Sequence, residues 1–132
     1  MPSHKHRVLL VDDDSAVRRS LERDLTEAGY TVESSGCAAE ALVVLNHATF
    51  DVVICDYRMP GMSGLDFLGT VREQYPDVHT FLLSGEVAQL SVATAWARKI
   101  GVVDVLSKPC SCQTIIHAIE SASKTSRRPQ LH

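Results

Sequence analysis

The stretch Arg7-Val8-Leu9-Leu10-Val11-Asp12-Asp13-Asp14 decides the fold. A strand with one face in water alternates apolar and polar residues. Val8–Val11 is apolar throughout, which marks a strand covered on both faces, as in a parallel sheet. Val52-Val53-Ile54-Cys55 repeats the pattern. Three more runs, Tyr30-Thr31-Val32, Val78–Leu83 and Val102–Leu106, complete a set of five. Val32 also opens the polar stretch Val32-Glu33-Ser34-Ser35, which reads as an edge strand.

Helical stripes lie between these runs. Over 15–28, Val17, Leu21, Leu25 and Ala28 share one face, with Arg18, Arg19, Glu22 and Arg23 outside, and Gly29 ends the helix. Ala38, Ala41, Leu42 and Leu45 make the second stripe; Leu65, Leu68, Val71 and Tyr75 make the third. A fourth helix over 87–99 turns Val87, Leu90, Ala93 or Thr94, and Ala97 inward before Gly101. The last, over 112–124, turns in Ile115, Ile119 and Ala122. Strand and helix alternating five times predict an α/β sandwich of three layers built from right-handed βαβ units.

Composition sets the outer limits. The chain has 132 residues, the size of one domain, and 45% of them are hydrophobic, enough for a core. The formal charge of −3 supplies no field that would draw it to nucleic acid or anionic lipid. No apolar run approaches the ~20 residues that span a bilayer. Met1 is followed by polar residues to Arg7, unlike a secretory leader, so a soluble cytoplasmic protein is expected. Cys37, Cys55, Cys110 and Cys112 lack the spacing of a zinc or redox site, and Cys37 and Cys55 read as small core residues. Residues 1–6 read as a short extension, 7–124 as the domain, and 125–132 as a flexible tail or the start of a linker.

The chemistry lies just past the end of each strand, because open α/β sheets bind ligands at the carboxyl ends of their strands. Asp12, Asp13 and Asp14 come after the first run, Asp56 after the third, Ser84 after the fourth, and Lys108-Pro109 after the fifth. Carboxylates gathered there repel one another unless a cation joins them, and Mg²⁺ suits an all-oxygen set. A metal, a lysine and a hydroxyl donor suit a phosphoryl group, and a carboxylate can be the nucleophile that receives it. Acidic residues before a helix also cap it, and Asp14 or Ser15 is expected to do so.

Four segments in order carry a resemblance: Arg7–Asp14, Cys55-Asp56-Tyr57-Arg58-Met59-Pro60-Gly61-Met62-Ser63-Gly64, Leu83-Ser84-Gly85 and Leu106-Ser107-Lys108-Pro109. Together they make residues 7–122 similar to the receiver domain of bacterial two-component response regulators. The resemblance implies a flavodoxin-like fold with strand order 2-1-3-4-5. It implies that Asp56 accepts the phosphoryl group and that Asp13 ligates Mg²⁺ (or Mn²⁺), with Asp12 acting mostly through water. The Arg58 carbonyl would be a further ligand. Ser84 and Lys108 would hold the phosphoryl oxygens, with a cis peptide at Lys108-Pro109 and a loop shaped by Met59-Pro60-Gly61. The implied donor is a sensor histidine kinase or phosphotransfer protein, and the implied output is an effector protein or a C-terminal domain. Neither nucleic acid nor membrane is an expected direct partner, and the chain is expected to be a monomer or a weak homodimer through the 86–124 face.

The chain departs from the family in three places. Val105 stands where an aromatic switch residue is usual, and valine has one stiff χ1 and no ring to swing. The interval from Ser84 to Lys108 is longer than the family's usual one, and its extra length falls before or within the helix that carries Trp96. That residue is expected either exposed on the partner face or against strand 5. Arg58 and Glu86 flank the acceptor, where their opposite charges could pair and slow dephosphorylation. The main reading is therefore a switch that catalyses only its own modification. The alternative is a receiver-like interaction module not driven by phosphorylation.

Overall fold

A computed structural model of the chain describes residues 6–59, 61–85, 87–108 and 110–126. Strands β1 (Arg7–Val11), β2 (Thr31–Ser35), β3 (Val52–Asp56), β4 (His79–Ser84) and β5 (Asp104–Ser107) alternate with five helices. These are α1 (Ser15–Glu27), α2 (Ala38–His47), α3 (Gly64–Gln74), α4 (Val87–Ile100) and α5 (Cys112–Ser126). All strand pairs are parallel and the order is β2-β1-β3-β4-β5, the flavodoxin-like arrangement. α5 continues through Ser126, so Thr125 and Ser126 are helical although the tail was expected from 125.

The apolar runs of β1 and β3 are explained by two cores, one on each face of the sheet. Leu9, Val11, Val53, Cys55 and Leu82 face α2, α3 and α4, where they meet Ala41, Leu45, Phe67, Leu68 and Ala97. Val8, Leu10, Val52, Ile54, Phe81 and Leu83 face α1 and α5, where they meet Leu21, Leu25, Ile115 and Ile119. β2 lies at an edge and is mostly polar, as expected.

Helix ends account for two shifts from expectation. At the end of α4, Gly101 takes φ +88° and its N–H donates to the Arg98 carbonyl, while the Val102 N–H donates to the Ala97 carbonyl. That is a Schellman cap, and it uses Val102 to close the helix. The last strand therefore starts at Asp104, two residues later than the apolar run suggested. In α3, Phe67 is fully buried while Leu65 is half-buried, so the inward stripe is rotated from the expected one. The side chains of Val87, Leu90 and Ala93, expected inward on α4, lie outside the described residues.

Cys37 is not a core residue. It is half-buried at the N-cap of α2 and makes no side-chain cap bond; the Glu40 carboxylate instead accepts from the Gly36 N–H at 3.3 Å. Cys55 is buried as expected, and none of the four cysteines forms a disulfide. Ser111, between Cys110 and Cys112, caps α5 by accepting from the Thr114 N–H at 3.2 Å. No helix among the described residues is long and apolar enough to cross a membrane.

Candidate functional site

The carboxyl ends of β1, β3, β4 and β5 meet around Asp56. Parallel pairing sets Val11 beside Cys55 and Asp56 beside Leu83, so Asp12, Asp56 and Ser84 emerge at one level of the sheet. Asp12 is fully buried, Asp56 nearly so, and Asp13 is exposed. Each offers a carboxylate oxygen, and these oxygens lie within 4.8 Å of one another.

Lys108 crosses to them from the end of β5. Its ammonium is 3.2 Å from Asp12 Oδ2 and 3.3 Å from Asp56 Oδ1. Its N–H to the Ser84 carbonyl, at 2.8 Å, ties the residue's backbone to β4. Burial works against the charged ammonium, but Asp12 and Asp56 together outweigh it and raise its pKa. Burial also raises the Asp56 pKa; Lys108 opposes that shift, and the charges of Asp12 and Asp13 add to it. Desolvation thus leads the mutual repulsion that the sequence suggested.

Asp14 resolves the capping question: its Oδ1 accepts from the N–H groups of Ala16 and Val17, leaving Asp12 and Asp13 for other work. Ser84 is buried, and its hydroxyl has no hydrogen-bond partner among the described residues. An orphaned buried hydroxyl costs ~1–3 kcal/mol, and a ligand oxygen would relieve it. Three carboxylates at this spacing fit a hard divalent cation, and the Ser84 hydroxyl with the Lys108 ammonium fits an anion bound beside that cation.

A model of the response regulator receiver domain matches residues 8–120. The chain belongs to the receiver domain family of two-component response regulators. It is 38% identical over 106 residues to the alginate biosynthesis transcriptional regulatory protein AlgB of Pseudomonas aeruginosa, covering 80% of this chain and 23% of that protein. The receiver thus spans about a quarter of that relative's length. A chemotaxis response regulator of Vibrio cholerae is similar in structure, with a TM-score of 0.80 and 31% identity, covering 89% of this chain and 98% of that one. So is the response regulator TrrA of Thermotoga maritima in complex with Mg²⁺ and BeF, at 0.77 and 29%, with coverage of 89% and 98%.

Other expected positions in this receiver fall differently. Val105 is half-buried against the α2–α3–α4 core. Trp96 is 54% exposed and stands beside residues of α3. With Tyr57, Leu65, Asp66, Gly69 and Ile100 it lines a groove of about 370 Å³, and Lys99 Nζ lies 5.3 Å from its ring centre. Arg58 is exposed; Glu86, Pro60 and Pro109 lie outside the described residues.

Two contributors to this receiver's site were not legible as such. A methyl group at Gly64 would overlap the Asp56 carbonyl oxygen, and the Gly64 N–H donates to the Tyr57 carbonyl at 2.9 Å. That close approach seats the loop after Asp56, and a glycine eight residues beyond that aspartate is its sequence signal. Arg18, expected on the outer face of α1, is half-buried and donates from Nη1 to the Asp12 carbonyl at 2.7 Å.

Proposed function

We propose that this receiver accepts a phosphoryl group on Asp56 and thereby switches what it binds. The observation that carries the reading is the Lys108 ammonium placed between Asp12 and Asp56, beside a buried Ser84 hydroxyl with no partner among the described residues. Asp13, Asp56, Asp12 largely through water, and the Arg58 carbonyl would hold Mg²⁺. Mg²⁺ bound there would neutralise the carboxylates and the charge that develops on the transferring phosphoryl oxygens. An Asp56 carboxylate oxygen forms the bond to phosphorus while the donor's bond to phosphorus breaks and the donor leaves with the electron pair. The Lys108 ammonium and the Ser84 hydroxyl then hold phosphoryl oxygens, so the lysine shifts from the carboxylates to the new group. A phosphohistidine on a sensor kinase or phosphotransfer protein is the expected donor. The chain modifies itself and turns over no outside substrate.

The likeness to AlgB, a much longer transcriptional regulatory protein, supports an output carried by a further domain or an effector protein. Val105 favours a second reading at the level of the signal, because no ring is present there to rotate inward. In that reading the domain engages partners without phosphorylation.

Intact mass after incubation with Mg²⁺ and a small phosphodonor tests the main reading, beside Asp56→Asn. One added phosphoryl group in the parent alone is the expected result. A parent that binds Mg²⁺ and gains no mass would reject it in favour of the phosphorylation-independent module.

A further inference from the structure

Asp12 is held at every polar atom. Its N–H donates to the Ser35 carbonyl at 3.1 Å, its Oδ1 accepts from the Asp14 N–H at 2.9 Å, and its Oδ2 faces the Lys108 ammonium. The remaining atom, the carbonyl oxygen, accepts from Arg18 Nη1 at 2.7 Å. This last bond fixes the peptide plane that joins Asp12 to Asp13. Asp13 is exposed, and among the described residues no hydrogen bond orients its carboxylate. The backbone aims its Cα–Cβ bond, and that direction decides which side-chain rotamers bring the carboxylate to the cluster.

Room for the guanidinium comes from the loop between β2 and α2. A Cβ at Gly36 would lie 3.2 Å from Arg18 Nη1 and 3.8 Å from Cζ. The site at the end of β1 thus depends on a helix residue six positions on and on the missing side chain of a glycine from a different βα unit.

We infer that Arg18 is a positioning residue for the cation site, holding the Asp12–Asp13 peptide so that the Asp13 carboxylate stays with those of Asp12 and Asp56. The inference rests on the reading that these carboxylates hold Mg²⁺. Charge alone argues the other way: a guanidinium near the cluster repels a second cation, so removing it by itself would tighten binding. Weaker binding without Arg18 has to come from lost geometry.

The test is calorimetric titration of Mg²⁺ into the whole chain, with a thermal melt of each variant to verify folding. Arg18→Ala is expected to weaken binding roughly tenfold, the low end of the loss when a group that orients a metal ligand is removed. Arg18→Lys restores part of it. Gly36→Ala keeps every charge and shifts the guanidinium by only a few tenths of an ångström, so it weakens binding less than Arg18→Ala does and has no further effect in an Arg18→Ala background. Unchanged or tighter binding in Arg18→Ala overturns the inference, as does an effect of Gly36→Ala that persists without Arg18. Should Arg18→Ala fail to fold, Arg18→Met, which keeps the apolar stem and removes the donor, decides: weakened binding supports the inference and unchanged or tighter binding overturns it. A parent that binds no Mg²⁺ overturns both this inference and the reading beneath it, and that outcome is visible in the parent alone.

Discussion

Gly64 lies against the backbone of Asp56 so closely that a Cβ there would overlap the Asp56 carbonyl oxygen and come 2.9 Å from Tyr57 Cα. Both neighbours are backbone, and β3 is hydrogen-bonded on both sides, so neither can yield cheaply. Gly64→Ala is expected to cost about 3 kcal/mol, the upper range for overpacking a tight contact. Chemical denaturation would measure the loss. A variant as stable as the parent would show that the loop moves freely, and phosphoryl acceptance should then be unaffected as well.

The parts of this arrangement that could be read from sequence are those set by chain neighbours and periodicity. Val8–Val11 and Val52–Cys55 announced strands buried on both faces, and the polar residues after each strand announced the site. What periodicity does not report is where a helix end meets another element. Arg18 sits on the polar side of α1 by its spacing, yet the first turn of α1 abuts the end of β1, and Gly36 opens a place for its guanidinium. Trp96 neighbours buried Ala97 on the helix, and the groove it lines with Leu65 and Gly69 exists only because α3 and α4 lie side by side, which spacing along one helix does not report. Val102 looked like strand because it is apolar, but the cap of α4 uses its N–H first.

Burial raises the pKa of the Asp56 carboxyl from its ordinary value despite Lys108. The folded chain therefore keeps a proton there at a pH where the unfolded chain has lost it. Stability falls as pH rises from the ordinary carboxylate pKa through the raised one, and above that the full cost is present. Asp56→Asn removes this cost. In EDTA at pH 7 the variant should melt above the parent, with the gap closing below about pH 4, near the ordinary aspartate pKa. A variant that melts at or below the parent at pH 7 would mean that the Lys108 pair outweighs desolvation.

His79 gives a slope of the opposite sign. It opens β4, where burial lowers its pKa; His6 and Arg72 add to that shift and Asp51 opposes it. The unfolded chain takes up the proton first, so stability is complete above the ordinary histidine pKa and is lost as pH falls from there through the depressed value. Between pH 7 and about pH 5.5, a window set by the ordinary histidine pKa, the parent should lose more melting temperature than His79→Gln. An Asp56→Asn background for both chains keeps the carboxylate's own slope out of the comparison. Parallel pH profiles would exclude His79 as the source.

Lys108 and a divalent cation neutralise the same carboxylates, so each should matter more when the other is absent. The ammonium stands 3.2 Å from an Asp12 carboxylate that is fully buried and 3.3 Å from Asp56, with a quarter of the lysine side chain exposed. In EDTA, Lys108→Met strands both charges, at a cost of about 3 kcal/mol, the low end for breaking a buried pair. Mg²⁺ stabilises whichever chain binds it, by about 1.4 kcal/mol at ten times Kd. Freed of a competing cation, the variant should bind Mg²⁺ more tightly and recover more melting temperature from a fixed Mg²⁺ concentration than the parent gains. Phosphoryl acceptance should nonetheless drop, because no ammonium remains to meet the transferred oxygens. Equal Mg²⁺ gains in the two chains would mean that Lys108 leaves the carboxylates at no cost, and the ion pairs at its tip would then contribute nothing to the poise of the site.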